Sequence, residues 1–290
     1  MLTLKKLKTD MQFNRELTGL VDVLKGIASA QFRHLQAKRE YFVRFNRCLE
    51  NFYAVLDLRP AGGHPFLASE PFLPTSGIVM ITSDEGFLGE LNTQVINIGL
   101  NLRREKDTLI ILGERGAHTL EELGESFLYF PGIPEDIRYE QAKDLRDYLI
   151  QGYLNQKFGK ITMVYPKFIT FAIQEVKAEQ LLPYPREAES AGVEFQPQTL
   201  IEPSAVRIVD YLIRLWMAQK IYDLFWESKL SEWAARVIHL EESSQVLAEL
   251  NKKLQFSYFR LLHQISDNNI REIFASRISE KLEESKINDW

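Results

Sequence analysis

With 290 residues, 45% of them hydrophobic and 26% charged, the chain can build one large domain or two ordinary ones and is too apolar to be disordered. Its formal charge of −5 argues against a general nucleic-acid binder. No apolar run reaches the roughly 18 residues of a membrane span, and the single cysteine, Cys48, rules out an intrachain disulfide and fits a reducing compartment.

The first segment, "MLTLKKLKTDM", is charged too early and too often for a signal peptide. Residues 1–47 hold ten Lys/Arg against four Asp/Glu, a basic stretch in an otherwise acidic chain. Before Pro60 only Gly19 and Gly26 interrupt it. Apolar residues recur at Leu17, Leu20, Leu24 and Ile27, and later at Phe42, Phe45, Leu49, Phe52 and Leu56. That spacing predicts a long helix whose narrow seam needs a partner helix. Segment 59–76, rich in Gly and Pro, reads as a linker.

The middle third, 75–202, reads as an α/β domain with a largely parallel sheet. Strands are expected at "SGIVMIT", "TLIILG", "SFLYF" and "KITMVYPKF". Helices are expected over Leu91–Arg104, His118–Leu123 and Pro134–Phe158. The turn "ITSDEGFLGELN" between the first strand and helix has the layout of a phosphate cradle. It has no Lys-Ser/Thr pair for a P-loop, and Gly86 and Gly89 give only G-x-x-G. Asp84, Glu85 and Glu90 suit a helix start as caps but repel phosphate. A capped βα turn is the better reading, with a positive φ at Gly86 and a close helix–sheet contact at Gly89. No cofactor is expected.

After Pro203 neither Gly nor Pro occurs again. Apolar residues follow helical spacing through Leu230, Trp233, Val237, Leu240, Leu247, Leu250, Leu254, Tyr258, Leu261 and Ile265, with a gap at Ser244. The economical solution is an antiparallel pair of terminal helices, 1–58 and 203–290, around the 75–202 domain. Two helices of an ordinary bundle are the alternative. Trp216, Trp226 and Trp233 are packing residues on this helix. His34, His64, His118, His239 and His263 form no pair at metal-ligand spacing. Cys48, beside Arg44 and Arg47, is a reactive thiol or, more simply, a small packed side chain. No nucleophile motif is present.

At this point the residues resemble a known family. "SDEGFLGELN" is similar to the S/T-D-x-G-L-C-G-x-x-N signature of the gamma subunit of F-type ATP synthases, with Asp84, Gly86, Gly89 and Asn92 on its fixed positions. "KGIASAQFRHLQ" (25–36) resembles that family's N-terminal helix, and "IILGERG" (110–116) its second strand and turn. Lys167–Ile169, Gln180–Pro183, "EPS" (202–204) and "YDLFWESKLSEWAARV" (222–237) follow in order. Near the end, Tyr258, Ile270, Glu272, Ile273 and Ala275 fit the family's pattern. Glu85, Leu88 and Gln31 depart from it, and the tail "RISEKLEESKINDW" is an addition, so the chain resembles a divergent gamma subunit of an alternate rotary ATPase.

The resemblance implies a long antiparallel coiled coil of N- and C-terminal helices with an inserted Rossmann-like α/β domain. It implies a central stalk that transmits torque between a membrane rotor ring and a catalytic hexamer of alpha and beta subunits, with epsilon as a further partner. It also implies no catalytic residue of its own, no nucleic acid partner and a peripheral place on the cytoplasmic side of a bacterial plasma membrane. Lys25, Arg33, Arg236 and His239 are the expected contacts for acidic loops of the catalytic subunits. The tail charges Arg277, Glu280, Lys281, Glu283, Glu284, Lys286 and Asp289 are too costly to bury in an apolar bearing. Residues 278–290 are therefore expected to project past it as a helix striped by Ile278, Leu282 and Ile287. The rival functions are a nucleotide-binding α/β enzyme and a coiled-coil scaffold.

Overall fold

The computed structural model describes residues 3–55, 64–67, 73–185 and 204–288, with side chains outside 39–55, 205 and 279–288. Cys48, the stripe Phe42 to Leu56, most of the 59–76 segment and the tail charges beyond Arg277 therefore lie outside the described side chains. The chain divides into two compact units, Met1–Gly26 with Leu240–Trp290, and Ile27–His239. Two helices pass through both: α1 (Leu4–Val55) and α5 (Ala205–Asn288). Each starts at a hydroxyl cap. Thr3 Oγ1 accepts the Lys6 amide at 3.3 Å, and Ser204 Oγ accepts the Arg207 amide at 3.4 Å. The backbone of α5 stays helical to Asn288, as the tail's stripe suggests.

The first unit is an antiparallel helix pair. Lys25 meets Glu241, Asp22 meets Ser244, Thr18 meets Asn251 and Lys8 lies over Tyr258, so positions fall on α5 as they rise on α1. The buried seam of α1 here is Leu7, Asn14 and Val21, a seven-residue repeat. The expected stripe ran along a different face. Leu20 and Leu24 are 63% and 41% exposed, because the seven-residue spacing of Leu7, Asn14 and Val21 decides which side meets α5. Asn14 replaces an apolar side chain in the seam and donates from Nδ2 to the Leu247 carbonyl at 3.1 Å.

The second unit is built on a five-stranded sheet: β1 (Ser76–Ile81), β2 (Thr108–Leu112), β3 (Phe127–Phe130), β4 (Lys160–Thr170) and β5 (Ile173–Leu182). The order is β3-β2-β1-β4-β5. β1 pairs in parallel with β2 and β4, β2 with β3, and only β5 runs antiparallel. The first strands are continuous apolar runs, as buried parallel strands must be. β5, "IQEVKAEQLL", alternates exposed polar positions along the sheet edge and was not among the expected strands.

Crossovers run through α2 (Leu91–Leu102), α3 (Glu114–Glu122) and α4 (Tyr139–Leu154). Ile78, Met80, Leu109 and Ile111 pack with Val95 and Ile96 of α2 and with Leu120 of α3. Right-handed crossovers in which the order reverses after β3 place α4 on the opposite face. There α4 meets α5: Tyr139 stands edge-on to Tyr222 at 5.3 Å, and Arg146 Nη1 donates to the Arg214 carbonyl. Phe32 of α1 packs on Phe168 and Phe171 of the β4–β5 hairpin, at 5.7 and 5.2 Å between centroids.

Candidate functional site

The turn between β1 and α2 lies at the carboxyl end of β1, where open α/β sheets place their functional loops. It is closed by side chains. The Ser83 amide donates to Asn92 Oδ1 at 3.2 Å, Asn92 Nδ2 donates to Ser83 Oγ at 2.8 Å, and Ser83 Oγ donates to the Glu85 carbonyl at 2.7 Å. Asn92, on the first turn of α2, thus ties the loop back to the strand end.

Three expected details are corrected. The positive φ belongs to Phe87 (65°) and Gly89 (59°), not to Gly86. Gly86 lies against the Arg115 guanidinium, where a Cβ would sit 3.4 Å from Nη2. Gly89 makes no tight helix–sheet contact, since its Cβ would find only His239 Nδ1, at 3.9 Å. Its need is conformational, because a side chain at φ 59° is strained. Nor do the acidic residues cap α2: Glu90 occupies the N-cap without a side-chain bond. Asp84 Oδ1 instead accepts the amide of Glu114, so it caps α3. The cause is topological, since parallel neighbours β1 and β2 bring both following turns side by side. Tyr129 on β3 is close enough that its hydroxyl pKa is raised, first by burial and then by Asp84 and Glu114.

Behind the turn stands Arg236 of α5, 5% exposed. Its Nε donates to the Gly86 carbonyl at 3.2 Å, its Nη2 pairs with Glu232 at 2.8 Å and Glu85 at 3.4 Å, and its guanidinium lies 4.2 Å over Trp233. Glu232 is shared with Lys229 at 2.9 Å, and all three side chains of this chain of charges are buried. Low exposure strengthens each pair and makes each partner necessary. Glu232, Lys229, Phe87 and Arg115 were not singled out from the sequence, and Glu85 was expected as a cap of the helix start, not as a partner of Arg236. The i, i+3 and i, i+4 spacing in "KLSEWAAR" was the available signal for two of them.

Of the four expected contact cations, the structure brings Arg236 and His239 to the turn. His239 is half-buried, 6.5 Å from Phe87 between ring centroids. Arg33 is exposed on α1 beside Phe32. Lys25 belongs to the other unit, where it pairs with Asp22 at 3.3 Å and Glu241 at 3.1 Å. Hydrogen bonds from Lys25 to Glu241 and Asp22 raise its pKa, and the Lys25 bond in turn holds Glu241 below the ordinary carboxylate value.

As chemistry, the turn presents Asp84, Glu85, Glu90 and Glu114 around a helix start, with the Arg236 guanidinium paired behind it and the Arg115 guanidinium lying beside Gly86. That arrangement repels phosphate. Among the described residues no group of three His, Cys, Asp or Glu is placed to hold a metal ion. The site is a surface turn tied by side-chain hydrogen bonds and braced by the buried Arg236.

A family model described as ATP synthase matches residues 3–276. The ATP synthase gamma chain of Cytophaga hutchinsonii is 26% identical over 289 residues, covering 94% of this chain and 97% of its own length. That of Chlorobium limicola is 25% identical over 289 residues, covering 95% and 98%. In fold, the chain is similar to one in the Euglena gracilis mitochondrial ATP synthase OSCP/F1/c-ring structure, with a TM-score of 0.68 at 14% identity, covering 95% of this chain and 94% of that one. It is also similar to one in the Tetrahymena thermophila mitochondrial ATP synthase central stalk/c-ring structure, with a TM-score of 0.59 at 20% identity, covering 78% and 99%.

Proposed function

This chain belongs to the ATP synthase family as a gamma chain, the central-stalk subunit of the rotary enzyme, and on that premise we propose that its paired helices turn inside a catalytic alpha/beta hexamer. The α/β domain then rests on the membrane rotor ring, with epsilon beside it. The gamma chain has no catalytic residue; it carries torque.

The antiparallel register of α1 and α5 carries this reading. Polar cross-links at Asn14–Leu247, Thr18–Asn251, Asp22–Ser244 and Lys25–Glu241 resist one helix sliding past the other. A shaft that slipped would lose angle with every step. Arg33, exposed on α1, is the side chain offered to acidic loops of the catalytic subunits, attracted within about a Debye length of 10 Å, with His239 as a further contact at the turn. Lys25 and Arg236, already paired within the chain, shape the surfaces around them. No described helix is long and apolar enough to cross a membrane. The gamma-chain relatives named above are bacterial, which supports a peripheral place on the cytoplasmic side of a bacterial plasma membrane.

The test is co-expression with the alpha and beta subunits of the same organism. The purified complex should hydrolyse ATP and turn a probe fixed to the α/β domain. Hydrolysis with a stationary probe would overturn the stalk reading. The rival enzyme reading is tested on the isolated chain, where submillimolar ATP or NAD binding that vanishes on substitution of Gly86 or Gly89 would establish it.

A further inference from the structure

At the opposite end of the strands from the β1–α2 turn, the sheet carries a cleft of about 740 Å3. It lies between Leu102, the last residue of α2, the starts of β1 and β4, and the end of β5. Strand register builds its floor. Ser76 lies beside Lys160, Ile78 beside Thr162, and Thr162 in turn beside Gln180. Residues two apart on a strand share a face, so all five stand on the side of the sheet that α2 covers.

Asp107 brings in a second cation. Its Oδ1 accepts the Ser76 amide at 2.7 Å and its Oδ2 accepts the Arg104 amide at 2.9 Å. One carboxylate thus fixes Arg104 on the β2 side of Ser76, while strand pairing fixes Lys160 on the β4 side. Neither cation has a partner among the described residues, nor do the hydroxyls of Ser76 and Thr162, whereas the adjacent Arg103 pairs with Glu125.

No carboxylate lines the cleft among the described residues. Asp107 has both oxygens on backbone amides, and Glu179 points to the other face of β5, where it meets Lys220 at 2.6 Å. Glu105 is exposed beside Arg104. The terminal carbonyls of α2 add about half a negative charge, which two full cations outweigh. A guanidinium, an ammonium and two hydroxyls around one point fit a tetrahedral oxyanion. Ile78 and Leu102 beside them fit a hydrocarbon, and the volume is that of an organic ligand, not of a bare ion.

We propose that this cleft binds a small organic phosphate, its head held between Arg104 and Lys160 and its hydrocarbon part lying against Ile78 and Leu102. Nothing in this depends on the central-stalk reading. A soluble phosphate ester and the phosphate head of a lipid share the chemistry.

The experiment is calorimetric titration of the isolated full chain with hexyl phosphate and with inorganic phosphate, beside co-sedimentation with vesicles of phosphatidylcholine and phosphatidic acid in equal parts. Hexyl phosphate should bind with a submillimolar Kd that weakens as salt is raised. Arg104→Gln and Lys160→Gln should each weaken it about tenfold. Arg104 is exposed and Lys160 half-buried, so both variants should unfold with the unsubstituted chain on heating. Leu102→Ser should weaken hexyl phosphate and leave inorganic phosphate unchanged. Lys106→Gln, which removes a neighbouring cation outside the cleft, should change neither by more than twofold. Hexyl phosphate binding without vesicle binding assigns a soluble ester. Vesicle binding that is lost in Arg104→Gln assigns a lipid head. The absence of binding to both probes would overturn the proposal, as would an equal loss in Lys106→Gln, which would mark diffuse attraction. Inorganic phosphate bound as tightly as hexyl phosphate would overturn the organic ligand, and loss of binding in Gly89→Ala would place the site at the turn instead.

Discussion

Arg236 and Glu85 form one ion pair but stand in different media. Arg236 is almost wholly buried, while the Glu85 side chain is 67% exposed. Replacing Arg236 with alanine leaves the Gly86 carbonyl without its donor and Glu232 with Lys229 alone, which should cost about 2–4 kcal/mol. Glu85→Gln removes only the solvent-screened partner and should cost less than about 1 kcal/mol. Urea unfolding of the two variants measures the contrast, and equal losses would show that the buried side of the network is not what holds the turn. The resemblance marked Asp84, Gly86, Gly89 and Asn92 as a unit, and spacing alone could have shown Glu232 four residues before Arg236. The third partner, a carbonyl 150 residues away, has no local signature in the sequence. The positive φ at Phe87 was hidden for a similar reason, since glycine is the residue that invites such a reading and two glycines stood beside it.

Among the elements, the strands that end up buried on both faces were legible because they are unbroken apolar runs. β5 was not, because an edge strand carrying Glu175, Lys177 and Glu179 looks like a charged loop. The long helices were legible from missing breakers, but not the side of α1 that meets α5. Two apolar stripes share that helix, and only the pairing with α5 distinguishes them. The shaft depends on unbroken hydrogen bonding through residues such as Leu247, whose carbonyl accepts from Asn14. Leu247→Pro removes an amide donor and forces the ring against the preceding turn, costing about 3 kcal/mol or more locally. In the assembled enzyme it should lower ions pumped per ATP more than it lowers hydrolysis. An unchanged pumping ratio, with helicity by circular dichroism also unchanged, would show that this part of α5 transmits no torque.

For the molecule as a whole, the order helix, α/β domain, helix could be read because glycine and proline are confined to the chain up to Pro203. Its division into units could not, since that depends on which distant surfaces meet. Stability should respond to alkali in a defined window. Tyr153 is fully buried and donates to the Pro65 carbonyl at 3.0 Å, and burial pushes its hydroxyl up to about 12. Burial, followed by the neighbouring Glu179, also raises Tyr165. A folded pKa above the unfolded value of about 10 means that this stability is fully present below pH 10 and is lost as pH rises through about 12. Tyr153→Phe should make the decline between pH 10 and 12 shallower by up to about 1.4 kcal/mol per pH unit. An unaltered slope would place the alkaline sensitivity elsewhere. The Asn14–Leu247 bond has a consequence for synthesis, because its partners are 233 residues apart in the chain. At roughly 5–20 residues per second, α1 leaves the ribosome on the order of 10–50 s before the segment that covers it exists. During that wait its seam is bare, and an amide among the apolar side chains makes chance pairing with a foreign helix less favourable than pairing with the helical backbone around Leu247, made 233 residues later.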